Sequence, residues 1–288
     1  MKFELTILGS GSSIPTSNRN SAAQVLHVLG RYFLIDCAEA TQHQLRRFHV
    51  PYNKINHIFI SHLHGDHFFG LIGFLSTLSL QGRRGEMHIY AEPRLQELIG
   101  CQMKILHSRF TFPLFFHALS RREEVIYEDK VVTVTAFPLK HHYDTPVSGF
   151  LFREKERERT ILKDRTAAWN VPIAFMQYLK RGEDFITPEG EIVANELLTV
   201  APPPARSFAY MTDTLFADYV RGVDLLYHEA TYMNADAVLA KESYHSTTGQ
   251  AARIAELAGV GKLLLGHFSA RYTECSELLA EAREVFPN

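Results

Sequence analysis

The chain has 288 residues, 46% of them apolar and 22% charged, with a net charge of −2 at neutral pH. That composition excludes a disordered chain and a globally basic nucleic-acid binder, and the length suits one large domain or two small ones. Cys37, Cys101 and Cys275 form no C-x-x-C pair, so neither a disulfide framework nor a thiolate zinc site is indicated.

In chain order, "FELTIL" at Phe3 to Leu8 predicts a strand, and "AQVLHVLGRYFLID" predicts a hairpin of two strands turned at Gly30. "AEATQHQLRRF" has helical composition, with Ala40, Leu45 and Phe48 available for one face, and "HIFI" at His57 to Ile60 reads as a buried strand. "MHIYA", "VVTVTAF", "SGFLF", "SFAYM", "DLLYHEA" and "KLLLGHF" are further short apolar strands, separated by turns or by helices such as Pro93 to Lys104 and Thr248 to Ala258. Two such sets of alternating strands and helices point to an α/β sandwich, sheets inside and helices outside, with chemistry on loops at strand ends. No apolar run reaches the ~18–20 residues of a membrane span, and "MKFELTILGSG" lacks the features of a signal peptide, so a cytoplasmic protein is expected.

The segment 153–184 departs from this pattern. It alternates in charge from "REKERER" onward and then carries Trp169, Phe175, Met176 and Tyr178. One reading is a solvated loop with a small surface helix. The other is a protruding arm that offers basic side chains to phosphates and aromatic rings for contact with a large polyanion.

"ISHLHGDHFFG" places three histidines and an aspartate within six residues, directly after the "HIFI" strand. Imidazole nitrogens and a carboxylate oxygen are good zinc ligands. A tight loop can aim His62 and His64 at one ion while Asp66 and His67 face a neighbouring position, with Gly65 giving the turn its backbone freedom. One loop cannot complete two coordination spheres. His141, Asp213 and His267, each just past an apolar strand, are the expected partners, and His142 competes with His141 for its place.

These residues, together with "LGSGSSIPT", "IDCAEATQHQL", "PLKH", "TDT", "HEAT", "HST" and "LLLGHFSARY", resemble the metallo-β-lactamase superfamily and, within it, the ribonuclease Z family. The H-x-H-x-D-H motif alone selects the superfamily, and "HEAT" followed by "HST" selects ribonuclease Z. The resemblance covers nearly the whole chain. It implies an αββα sandwich over residues 1–288, two central mixed sheets with helices on the outer faces, and an inserted tRNA-binding arm at 153–184. It also implies an endoribonuclease that removes the 3′ trailer of precursor tRNA, working as a homodimer with two zinc ions per subunit. His62, His64 and His141 would bind one zinc, Asp66, His67 and His267 the other, and Asp213 would bridge them. Zinc pairs of this kind lower the pKa of a bound water and neutralise a phosphodiester.

Asp66 would also accept the proton of the attacking water. His245, left over from the ligand set, would donate a proton to the leaving oxygen, and Glu229 would orient it, or else serve only as a capping or structural carboxylate. Arg19 and Asn20 match a loop near the RNA 3′ end and Arg271 follows a metal ligand, though ordinary surface residues would read the same way. This loop commonly reads P-x-K-x-R-N in the family, and Ser17 stands here in the lysine position. The arm keeps "LKRGE" at Leu179 to Glu183 but has Asn170, Val171 and Pro172 where a Gly-Pro tip is common. The competing readings are another hydrolase of the superfamily, acting on small phosphodiesters, and a non-catalytic RNA binder.

Overall fold

The computed structural model describes residues 2–142, 144–214 and 220–288. The chain divides into two compact units, Met1–Arg153 with Arg206–Asn288, and Glu154–Ala205. The segment 153–184 thus overlaps the second unit from Glu154 onward, and that unit runs on to Ala205.

In the larger unit the first sheet contains β1 (Phe3–Gly9), β2 (Ala23–Val28), β3 (Arg31–Ile35), β4 (Ile55–Phe59), β5 (Met87–Ala91) and β6 (Leu114–Ala118), in that spatial order. The β1–β2 and β2–β3 pairs are antiparallel and the pairs from β3 to β6 are parallel. Between β2 and β3, Leu29 and Gly30 both take positive φ, 47° and 88°. Positive φ at both central residues makes a two-residue turn whose twist matches the flanking strands. β7 (Glu124–Glu128), β8 (Val132–Leu139) and β9 (Val147–Glu154) follow. The short strands β10 (Thr160–Ile161), β11 (Phe185–Ile186), β12 (Ile192–Val193) and β13 (Thr199–Val200) belong to the smaller unit. β14 (Ser207–Met211), β15 (Leu225–Glu229) and β16 (Lys262–Gly266) complete a second sheet of order β16-β15-β14-β9-β8-β7. In it β14 is antiparallel to β9 and parallel to β15.

Strand alternation builds four layers. Phe33 and Ile35 of β3, Phe59 of β4 and Tyr90 of β5 meet Val134, Phe150, Phe152, Phe208 and Tyr210 of the second sheet in one buried cluster. Their neighbours Leu34, Ile58 and Ile89 point the other way, against Leu45, Phe74, Leu75 and Leu95 of the outer helices. Ala209, Met211 and Leu226 likewise pack on Ile254 and Ala255 of helix Thr248–Ala258. A capping box between Thr247 and Gln250 starts that helix, and Gly259 at φ 61° ends it. This is the αββα sandwich expected from the sequence.

Two local expectations fail. In helix Thr41–Arg47 the buried residues are Thr41, Gln44 and Leu45, while Ala40 is the left-handed residue before the helix and Phe48 is 49% exposed beyond it. The apolar face is thus narrower than composition suggested. Gly65 has no positive φ; a Cβ there would meet only the ring of Phe69, a side chain 68% exposed and free to turn aside, so the turn does not draw on glycine's backbone freedom.

The smaller unit has its own core of Val171, Leu179, Phe185, Val193 and Leu198. Trp169, Phe175 and Met176 pack against it, so these side chains support the unit's fold and are not a free contact row. Asn195, buried, joins its parts by donating from Nδ2 to the carbonyls of Leu179 (2.9 Å) and Glu183 (2.7 Å).

Candidate metal centre

The strands of the sandwich converge their ends on one cluster. His62 and its neighbours follow β4, His141 follows β8, Asp213 follows β14 and His267 follows β16. Three buried residues here hold left-handed backbone without being glycine: Asp36 (φ 54°), Asp213 (φ 37°) and His267 (φ 58°). Each such conformation costs of order 1–3 kcal/mol and persists only where surrounding structure enforces it.

The side chains fall into two adjoining groups, His62, His64, His141 and Asp213 on one side and Asp66, His67 and His267 on the other. Within each group the potential ligand atoms lie within 4.8 Å of one another. Asp213 faces both. Its Oδ2 is 3.3 Å from His62 Nε2 and 4.0 Å from His64 Nδ1, and its Oδ1 is 3.3 Å from His67 Nε2 and 3.1 Å from His267 Nε2. Asp66 Oδ2 lies 3.4 Å from His267 Nε2 and accepts a hydrogen bond from the Ser13 backbone N–H at 2.7 Å. His62 Nε2 is buried with no hydrogen-bond partner. Burial and the neighbouring His67 push the His62 pKa down to about 4, which keeps the imidazole in its neutral, metal-binding form. An orphaned imidazole nitrogen aimed at a carboxylate, with five further His and Asp side chains around the two, fits divalent cations of the zinc type.

Behind these atoms stands a layer the sequence reading left without a role. Asp36, fully buried, accepts from Tyr210 OH (2.6 Å), Ser61 Oγ (2.9 Å) and Ser61 N (2.7 Å), and pairs with His67 Nδ1 at 2.7 Å. Thr231 Oγ1 lies 3.1 Å from His267 Nδ1, and the Tyr244 carbonyl accepts from His141 Nδ1 at 3.0 Å. The available signals were an aspartate closing an apolar strand, "LID", and the threonine of "HEAT"; nothing marked Tyr244. Partners of this kind fix the ring orientation and raise ligand basicity. Asp36→Asn is expected to weaken metal binding by about 10–100-fold, read by competition with a chromogenic chelator. Unaltered affinity would leave Asp36 a purely structural carboxylate.

Glu229, fully buried at the end of β15, unites its two sequence readings. Its Oε1 accepts from the backbone N–H groups of Thr214 (2.8 Å) and Ser246 (3.0 Å) and pairs with His245 Nδ1 at 3.1 Å, while Oε2 accepts from Thr231 Oγ1 at 2.7 Å. Burial alone would lower the His245 pKa, but the Glu229 charge and hydrogen bond outweigh it and raise it to about 9. His245 also forms a third ligand-type group with Asp213 and His267.

The arginines expected to touch RNA, Arg19 and Arg271, have protein partners. The Arg19 guanidinium donates to the carbonyls of Thr273 (3.0 Å), Ser269 (3.5 Å) and Tyr272 and lies 5.7 Å over the Phe268 ring, bracing the first loop to the segment after His267. The Asn20 carbonyl accepts from Gly11 N at 2.9 Å. Arg271 pairs with Asp236 at 3.0 Å, 5.3 Å over Tyr232. His142 lies outside the two groups around Asp213, which contain His141.

A ribonuclease Z of Bacteroides fragilis strain YCH46 is 46% identical over 292 residues, covering 100% of this chain and 95% of its own. The chain belongs to the ribonuclease Z family. A ribonuclease Z of Bacteroides thetaiotaomicron is 44% identical, with 99% of this chain and 92% of the relative covered. Among solved structures, the short form of human tRNase Z matches with a TM-score of 0.68 at 28% identity, covering 93% of each chain. The family model described as "Anti-Pycsar protein Apyc1" matches residues 3–168, a span that ends before Asp213, Glu229, His245 and His267. The full-length ribonuclease Z relatives extend over those residues as well.

Proposed function

We propose that this chain is an endoribonuclease that hydrolyses the phosphodiester joining precursor tRNA to its 3′ trailer. It would act as a cytoplasmic homodimer with two zinc ions per subunit. The observation that carries the reading is Asp213, one carboxylate turned to both halves of a seven-residue His/Asp centre, in a chain related to ribonuclease Z along its full length. His62, His64 and His141 would hold one ion, Asp66, His67 and His267 the other, with Asp213 shared. When bound, the ions supply a water acidified toward neutrality and neutralise the phosphate. Asp66, held by the Ser13 N–H, would take the proton of the attacking water. His245, its Nδ1 tied to Glu229, has Nε2 left for the leaving 3′ oxygen. Mapping the product ends from a precursor transcript tests the reaction.

The unit Glu154–Ala205 is assigned the role of a tRNA-binding arm, supported by Arg157, Arg159, Lys180 and Arg181, which outnumber Glu156 and Glu158 around one cavity of about 740 Å³, with Lys180 paired to Glu158 at 3.1 Å. Excising 153–184 would sever its core from Phe185, Val193 and Leu198, so the informative deletion is 154–205. That deletion, or Lys180→Glu with Arg181→Glu, is expected to raise KM for precursor tRNA at least about 10-fold and flatten its salt dependence. The loss on a small chromogenic phosphodiester should be far smaller. An unaltered KM for RNA would return the unit to a structural role.

Ser17, exposed, bonds its neighbour Asn18 at 2.9 Å and offers no cation where family members commonly carry lysine. Weak rejection of precursors that already encode CCA is therefore expected, with Ser17→Lys restoring it. Comparing cleavage of matched precursors with and without CCA reads this, and strong rejection by the unmodified protein would refute it.

A further inference from the structure

Next to the metal centre, a cavity of about 620 Å³ opens between the end of β8 and the start of β9. Ser61 and His141 belong to both, and Tyr244, the residue before His245, forms another part of the wall. A volume of this order suits a small organic ligand such as a nucleotide. Lys140 and Arg121 stand on its lining, both exposed, and their side chains make no hydrogen bond or ion pair among the described residues. Arg19, Arg83 and Arg271 are, by contrast, bound to carbonyls or a carboxylate. The acid of the lining, Glu92, pairs through Oε1 with Arg94 at 2.6 Å, while its Oε2 is buried without a hydrogen-bond partner. Beside that one carboxylate, the wall offers an anion two cations that are unpaired among the described residues.

Tyr244 couples this cavity to the chemistry. It holds a left-handed backbone, φ 59°, unusual for a bulky side chain, and in that conformation its carbonyl fixes His141. Its successor His245 is the residue that would serve the leaving 3′ oxygen. The nucleoside carrying that oxygen therefore belongs on the Tyr244 side of the centre.

We propose that this cavity seats the last retained nucleotide of the tRNA, with its base against the Tyr244 ring and the phosphodiester on its 5′ side between Lys140 and Arg121. The proposal rests on the endoribonuclease reading above. Stacking a base on an aromatic ring is worth about 1–3 kcal/mol, or roughly 5- to 150-fold in binding.

The test uses precursor transcripts carrying an abasic residue at the last retained position or, separately, at the first trailer position. With the unmodified protein, the first substitution is expected to raise KM roughly 5- to 150-fold and the second to have little effect. Tyr244→Ala should cause a similar rise on the intact substrate and add little on the abasic one, while Tyr244→Phe, which keeps ring and carbonyl, should preserve base dependence. Arg121→Ala with Lys140→Ala should lower the slope of log KM against log salt by about 2 and hurt RNA at least ten times more than bis(p-nitrophenyl) phosphate. Metal content is measured on every variant, so that loss through His141 is seen directly. A penalty at the trailer position, or additive losses with Tyr244→Ala, would overturn the seating. Cleavage indifferent to both abasic residues would sink the cavity assignment alone, whereas no RNA cleavage would sink the endoribonuclease reading with it.

Discussion

Asp213→Ala is expected to leave the protein folded but unable to hold two metal ions, with turnover on precursor tRNA and on a small phosphodiester both down by about 10³-fold or more. Asp213 Oδ2 faces His62 and His64, and Oδ1 faces His67 and His267, so one truncation would remove a carboxylate oxygen from each half. It also removes the negative charge that balances four imidazoles, so cations placed together would repel with less screening in a buried site. A bound ion contributes several kcal/mol to stabilising transition-state charge, and each 1.36 kcal/mol is about a factor of ten. Metal analysis and single-turnover rates check the result. Two equivalents of metal with near-native rates would show that Asp213 is not shared between the ions.

His245→Ala is expected to keep both metals and lose about 10²–10⁴-fold in turnover on RNA, the usual contribution of general acid catalysis. The leaving ribose oxygen is a poor leaving group and needs a proton, whereas nitrophenolate does not, so the nitrophenyl substrate should suffer much less. The geometry behind the expectation is the Glu229–His245 pair at 3.1 Å, with Glu229 in turn anchored by Thr214, Thr231 and Ser246. His245 also lies within ligand distance of Asp213 and His267. Loss of one metal in the variant would therefore make it a ligand, and equal losses on both substrates would make it a phosphate-positioning group.

Much of the centre was legible because its first four residues are contiguous in "HLHGDH" and because His141, Asp213 and His267 each close an apolar strand. The supporting layer was not. Asp36 meets His67 across 31 residues and Tyr210 across 174, contacts that exist only once β3, β4 and β14 are stacked. Guanidinium partners are equally silent in sequence: Arg19 looked free for RNA, yet its donors close on carbonyls some 250 residues away. The sandwich itself followed from strand alternation, which puts Phe33 and Leu34 on opposite faces whatever the loops do. The extent of the smaller unit was hidden because charge marks only its start, near Arg153, whereas its core continues through Phe185, Val193 and Leu198, residues that resemble any other short strand or helix.

The most direct test is one reaction: purified protein, its metal content measured, incubated with a transcribed precursor tRNA bearing a 3′ trailer, and both product ends mapped. The expected result is two zinc equivalents per chain and a single cut that leaves a 3′ hydroxyl on the tRNA and a 5′ phosphate on the trailer. Full metal loading with hydrolysis of a small phosphodiester but no cut in the precursor would contradict it.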